Sequence, residues 1–182
     1  MHTQTKTTLR LWTATLALFA TASCAFAVTQ GTFGNTSTGV VDLDISVSAS
    51  VRISGLSDMD LGTWSGDGDM SGSQTVCAFA SPGVDYTITF DGGNQPGNYV
   101  LENGMGSEIQ FDLYYAPNNT GSGYQLTTPT NALVGQTGAS DSTDCLSGET
   151  GSIQVVVSEA ALASMPSGTY SETISVTLAP DI

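Results

Sequence analysis

Apolar and polar residues alternate along several short stretches of the chain, which is the pattern of β-strands with one buried face. The apolar positions of the first stretch are Val41, Leu43, Ile45, Val47, Val51 and Ile53. Aspartate and serine separate the first four of them. The pattern therefore predicts an extended ribbon with one apolar edge and one polar edge.

Turn residues separate the later alternating stretches. Strands are predicted at 61–64, 76–79, 86–90, 109–114, 124–126, 153–157 and 170–178. Only residues 158–164 have the composition of a helical turn. Short strands with frequent turns are typical of a β-sandwich. We therefore expect an all-β, immunoglobulin-like domain over residues 49–182, preceded by an N-terminal extension at 28–48.

The two ends of this domain suggest how it would associate. An immunoglobulin-like sandwich has seven strands, and about six or seven are predicted from residue 51 onward, none of them after the last apolar series. The members of that series are Tyr170, Ile174, Val176 and Leu178. We expect the strand that carries them to border an open groove, because a missing strand leaves core side chains and backbone groups uncovered.

The ribbon of a second copy could fill such a groove. Residues 41–48, called the donor segment below, would insert the side chains of Val41, Leu43, Ile45 and Val47 while their backbone completes the sheet. Such a head-to-tail contact does not close on itself, so it would propagate as a fibre. The alternative is that the ribbon is the first strand of a complete domain, and the pattern leaves both interpretations open.

The N-terminus has the features of a secretory signal peptide. Lys6 and Arg10 precede a short apolar run, and residues 25–27 give the small-x-small pattern of a cleavage site. Lipidation at Cys24 is an alternative, but Thr21 stands where lipoproteins usually carry leucine. We expect cleavage after Ala27, and export from the cytoplasm.

Charge and cysteine content narrow the partners and the compartment. Beyond residue 27 the sequence has one arginine and 17 carboxylates, so the net charge of that part is −16. Such a chain would repel nucleic acid, and no stretch is long and apolar enough to span a membrane. Two cysteines remain, Cys77 and Cys145, and we expect them to form a disulfide in an oxidising compartment. The alternative is two separate buried thiols.

Common catalytic groups are missing from the expected mature chain. His2 and Lys6 fall within the signal peptide and are the sole residues of their types. A Ser–His–Asp triad, a Ser–Lys pair and a Schiff-base lysine are therefore excluded, and two cysteines are too few for a zinc site. Paired carboxylates of the glycosidase kind stay open, although chance pairs are common among so many acids. We expect a non-enzymatic protein without a cofactor.

Two weaker binding hypotheses rest on loops. Asp58, Asp60, Asp67 and Asp69 lie near glycine-rich turns and could bind calcium, but solvated turn carboxylates are the commoner explanation. Tyr99 and Tyr124 lie in loop-like sequence, where exposed aromatic rings could recognise carbohydrate.

Six segments follow one another in a characteristic order: 39–45, 61–64, 74–77, 84–93 (VDYTITFDGG), 109–115 (IQFDLYY) and 167–178 (SGTYSETISVTL). In sequence and order they resemble the spore coat protein U domain family, which includes subunits of archaic (Csu-type) chaperone–usher pili. The resemblance implies an immunoglobulin-like pilin without its last strand. It would be carried by a periplasmic chaperone, passed to an outer-membrane usher, and polymerised with identical or related subunits into a surface fimbria for adhesion or biofilm.

The cysteines depart from that family's pattern. Its members usually pair the second-strand cysteine with one in the first strand, where this chain has Val51. The position of Cys145 far downstream leaves open whether the chain is a major, minor or tip subunit, or a coat-like structural protein. A complete, monomeric secreted β-sandwich that recognises carbohydrate or another surface is the rival interpretation.

Overall fold

The computed structural model describes residues 29–118, 120–137, 142–145, 148 and 150–181. The predicted signal peptide, with Cys24, lies outside these residues. The chain divides into two compact units, with the boundary between Ser46 and Val47. Of the first unit, the structure describes residues 29–46. Thr29 and Val40 form an antiparallel bridge there through two backbone hydrogen bonds of 3.2 and 2.9 Å.

The second unit confirms the all-β prediction. Its elements are β1 (Val51–Ser54), β2 (Met70–Ala80), β3 (Tyr86–Gly92), β4 (Val100–Glu102), β5 (Glu108–Gln110), β6 (Asp112–Ala116), β7 (Gln125–Leu126), β8 (Ala132–Gln136), β9 (Gly151–Val157), α1 (Glu159–Ala163) and β10 (Ile174–Pro180). Helix α1 begins where the side chain of Ser158 accepts a hydrogen bond from the Ala161 N–H. In the part of the chain that the structure describes, no helix has the length and apolarity that crossing a membrane requires.

The strands form two main antiparallel sheets and a separate β4–β5 hairpin. One sheet has the order β1-β2-β9-β6-β7 and the other β10-β3-β8. An immunoglobulin sandwich has the sheets A-B-E-D and C-F-G. Strands β1, β2, β9 and β6 occupy the first set of positions, and β3 with β10 those of C and F. Strand β8 is a departure, since it follows β6 in the chain yet pairs with β3.

The core is formed by side chains that the two sheets direct towards each other and by Val100 of the β4–β5 hairpin. Those of largest volume that are fully buried are Tyr86, Ile88, Phe90, Leu113, Tyr115, Val76, Val100 and Val157. The hydroxyl groups of Tyr86 and Tyr115 hydrogen-bond to each other at 2.6 Å, which satisfies two polar atoms inside the core.

Several strand boundaries differ from the sequence prediction. Residues 41–50 and 61–64 form no strand, so the first strand of the sheet begins at Val51, where β2 offers a partner. Strand β2 extends back to Met70 because β9 pairs with its glycine- and serine-rich first half. Strand β8 was missed. The predicted strand at 109–114 is divided at Phe111, where pairing changes from β4 to β9.

Candidate functional site: a groove beside the last strand

Strand β10 forms one end of its sheet. It pairs with β3 along one side, and no strand among the described residues pairs with its other side. This free side is where strand G of an immunoglobulin sandwich would lie. The inward-facing side chains of Ile174, Val176 and Leu178 are half-buried, and the residues between them are exposed. The structure therefore places these three predicted groove residues on one face of an open edge.

Tyr170 does not belong to this strand, contrary to the prediction. Strand β10 begins four residues later, at Ile174. The Tyr170 hydroxyl donates to the carbonyl of Pro166 at 2.9 Å, which closes a local turn. Tyr170 stands two alternation steps before Ile174, so the apolar pattern alone did not distinguish it from a strand residue.

A cavity of about 440 Å³ opens between the two sheets beside the first half of β10. Its floor is apolar and is contributed by strands of both sheets, through Phe90, Leu113, Ile153 and Val155, and by Phe111 between β5 and β6. Its remaining lining residues are Leu56, Ser57, Asp58, Met59, Leu61, Gln74, Leu101, Glu172, Thr173, Ile174 and Val176. We call this cavity, together with the free side of β10, the β10 groove.

The chain between β1 and β2 forms the wall opposite β10. Gln74 on β2 accepts hydrogen bonds from the backbone N–H and the hydroxyl of Ser57, both at 3.0 Å, and so fixes the start of this wall. Gly72 lets Met59 and Leu61 pack directly on the strand, because a Cβ atom there would approach their side chains to 2.7 Å. The sequence prediction placed Leu61 in a short strand, which the structure does not contain. It missed Met59, because this residue follows no alternating pattern.

Glu172 lies at the end of the groove, two residues before Ile174. Its Oε1 accepts three backbone N–H groups, from Gly93 at 2.7 Å and from Asn94 and Thr173 at 2.9 Å. Its Oε2 is buried and, among the described residues, has no hydrogen-bond partner. Sequence reasoning missed this residue, because the turn at 91–94 that holds it is remote in the chain.

The predicted donor residues are exposed. Leu43, Ile45 and Val47 have 91, 87 and 86% of their surface accessible, and Val41 has 65%. They belong to no sheet of the structure. Apolar side chains are thus exposed at every second position of this extended run. Donation to a second copy stays a prediction.

The structure contains the predicted disulfide between Cys77 and Cys145, whose Cα atoms are 5.8 Å apart. It attaches the segment after β8 to the middle of β2. Arg52 on β1 supports the same segment by donating a hydrogen bond to the carbonyl of Thr143 at 3.2 Å. Neither cysteine lines the cavity of the β10 groove.

The loop hypotheses are not supported by the local geometry. Asp60 accepts the N–H of Gly62, and Asp69 accepts the N–H of Glu159 at the start of α1. Within the described residues, no group of three or more potential ligands from His, Cys, Asp and Glu is placed to hold a metal. Tyr99 is buried, so the prediction that it is exposed was wrong.

Three tyrosines have altered acid–base behaviour. Burial raises the pKa of Tyr86 and Tyr99 above the usual 10, against a smaller opposing effect of the hydrogen bonds to Tyr115 and Thr127. Burial, together with the proximity of Tyr86, raises the pKa of Tyr115 much further. All three phenols stay neutral in the folded core at physiological pH.

These features define an immunoglobulin-like antiparallel β-sandwich with an open groove beside its last strand. No family model matches the chain, and no curated protein matches it. Among solved structures it is similar to a chain of a chaperone–tip adhesin complex of CFA/I fimbriae biogenesis, at a TM-score of 0.49 and 17% sequence identity. The match covers 72% of this chain and 42% of that one, so this chain spans less than half of its length.

Proposed function

We propose that the chain is a structural, non-enzymatic subunit of a bacterial surface pilus, and that it polymerises by inserting its donor segment into the β10 groove of a neighbouring copy. The observation that carries the proposal is a cavity with an apolar floor beside an unpaired strand edge. An exposed edge of this kind is a template for pairing with another strand. Adding a strand there would complete the second sheet.

The dimensions of donor and groove agree. The donor positions Val41 to Val47 span seven residues, and β10 also has seven. At about 3.3 Å per residue, each would extend roughly 20 Å. Fully burying an aliphatic side chain contributes about 1.5–3 kcal/mol, so four of them would contribute roughly 6–12 kcal/mol before the entropic cost of association.

An open apolar groove also requires protection before assembly. We propose that a periplasmic chaperone covers the β10 groove with a strand of its own and passes the subunit to an outer-membrane usher. The chain would then be exported and end in a cell-surface fimbria, with identical or related subunits as its neighbours. The resemblance to archaic pilins supports this route.

A donor-defective variant provides the direct test. Replacing Leu43 and Ile45 with aspartate should abolish polymerisation of the purified chain, measured by light scattering and electron microscopy. The matched control, Ser46→Asp, adds charge on the polar edge of the same segment and should still polymerise. The donor-defective chain keeps its groove, so adding it to wild-type chain should cap the fibres and shorten them.

The rival interpretation makes the opposite prediction. A complete, monomeric binding module would stay monomeric at every concentration, and the donor-defective variant would behave like the wild type in the mixing experiment. Polymerisation that both variants support equally would also contradict strand donation.

A further inference from the structure

The carboxylate of Glu172 is held in a fixed position, but one of its two oxygens lacks a hydrogen bond. Three backbone N–H groups hold Oε1, while Oε2 is buried without a partner among the described residues and Glu172 lines the β10 groove. Buried polar atoms are almost always hydrogen-bonded in folded proteins, and the exceptions require an explanation. A carboxylate oxygen that is buried without a hydrogen bond is an energetically costly exception.

The surrounding turn holds this carboxylate in place. The side chain of Asn94 donates to the carbonyl groups of Ser171 and Val100, at 2.8 and 3.1 Å. The N–H of Gly93 also donates to the carbonyl of Thr173 at 2.9 Å. These bonds attach the chain on both sides of Glu172 to the turn after β3. Rotation of the carboxylate towards solvent would break its own three bonds, to the N–H groups of Gly93, Asn94 and Thr173.

We propose that Glu172 is a specificity-determining residue of the β10 groove, and that its Oε2 accepts a backbone N–H of the strand that a second copy inserts. The inference rests on the proposed function. A strand beside β10 presents N–H and C=O groups in alternation. Glu172 accepts a strand whose register places an N–H at Oε2 and rejects one that places a carbonyl there.

The donating group is a backbone N–H because the donor side chains do not suit the role. Asp42 and Asp44 are acceptors when ionised and would be repelled. Ser46 and Ser48 lie on the polar edge, opposite the side chains that would enter the core. Glu172 therefore selects the register of the inserted strand and not its sequence.

The substitution Glu172→Gln distinguishes the role of Oε2 from that of Oε1. The glutamine oxygen can still accept the three N–H groups, while its NH₂ replaces the free acceptor with a donor. The acceptor chain for the measurement is the full chain with Leu43 and Ile45 replaced by aspartate, whose groove stays open. The probe is a fluorescent peptide of residues 41–50. Glu108→Gln is the matched control, since Glu108 is exposed and does not line the cavity.

We expect Glu172→Gln to weaken peptide binding by roughly 10- to 100-fold, as loss of a hydrogen bond to a charged group does. Glu108→Gln should leave it unchanged, and the melting temperature without peptide should be similar for all three chains. Equal affinity of the peptide for the acceptor chain with Glu172 and for its Glu172→Gln variant would overturn the inference alone. Absence of binding to the acceptor chain that keeps Glu172 would overturn the proposed function and the inference with it.

Peptides with one N-methylated backbone amide identify the contact. Each methyl group removes one N–H, and we expect one position at which methylation weakens binding to the Glu172 chain but has no further effect in the Glu172→Gln chain. A purely structural role of Glu172 would give the same ratio of affinities at every position, which would contradict the inference.

Discussion

Strands β3 and β10 lie side by side and both alternate apolar and polar residues over their first five positions, yet they bury their apolar side chains to different depths. Tyr86, Ile88 and Phe90 on β3 are at most 1% exposed. Their neighbours on β10, among them Val176 and Leu178, are half-buried. The alternating pattern determines which face points inward, whereas the depth of burial depends on whether a strand has neighbours on both sides.

The largest expected change in stability comes from truncating one of two residues that lie opposite each other on β3 and β10. Ile88 on β3 pairs with Leu178 on β10. Ile88→Ala should lower the free energy of unfolding by about 2–5 kcal/mol, because it removes a fully buried side chain. Leu178→Ala should cost about half as much. Urea unfolding of the donor-defective chain measures both, and equal losses would show that β10 is as well covered as β3.

Removing the disulfide should lower stability without changing that difference. Replacing Cys77 and Cys145 with alanine should cost about 2–4 kcal/mol, since the bridge constrains the unfolded chain over a separation of 68 residues. The effects of Ile88→Ala and Leu178→Ala should then add to this loss, as they do for distant sites. Their measurement in the disulfide-free chain is the check, and a changed ratio would mean that the bridge supports one strand selectively.

The buried end of β3 should respond to loss of a single hydroxyl. Tyr86→Phe leaves the Tyr115 hydroxyl without its partner in the core, which should cost about 1–3 kcal/mol. The double variant Tyr86→Phe/Tyr115→Phe should recover much of this loss, because no polar atom is then left unpaired. Thermal or urea unfolding of both variants measures the coupling. Additive losses would indicate that the two hydroxyl groups have other partners.

The last effect is absent at neutral pH and appears only in alkaline solution. The folded pKa values of Tyr86 and Tyr115 are raised above the ordinary 10, so folding favours the neutral phenols. Their contribution is complete below pH 10 and is lost as the pH rises towards the folded pKa values, by up to about 1.4 kcal/mol per pH unit for each group. Unfolding at pH 8–11.5 should show the decline, and the double phenylalanine variant should show less of it.

Alternation was sufficient to predict the strands that have regular apolar positions. Strands β3 and β9 and helix α1 were predicted close to their observed bounds. The first half of β2 and all of β8 were missed, because glycine and serine in β2 and Gly135 in β8 resemble turns. Pairing with β9 and β3 decides these segments, and a strand's partners are not visible in its own sequence.

The candidate site shows the same limit. Ile174, Val176 and Leu178 could be assigned to a groove strand from their spacing. The wall residue Met59 and the carboxylate of Glu172 could not, because their positions depend on contacts with Gly72 and with the turn at Gly93, which are distant in the chain. Local pattern identifies a strand face, whereas the shape and polarity of a groove arise from tertiary contacts.

Arg52, which binds the loop at Thr143 to β1, also shows how unbalanced the charge of the chain is when two copies approach each other. It is the sole basic side chain beyond residue 27, against 17 carboxylates. Approaching copies therefore repel each other at distances beyond the reach of their apolar contacts, and mobile cations must screen that field. The screening length falls from about 30 Å at 0.01 M salt to about 8 Å at 0.15 M. Association should accordingly be slow in dilute buffer and accelerate steeply as salt is added.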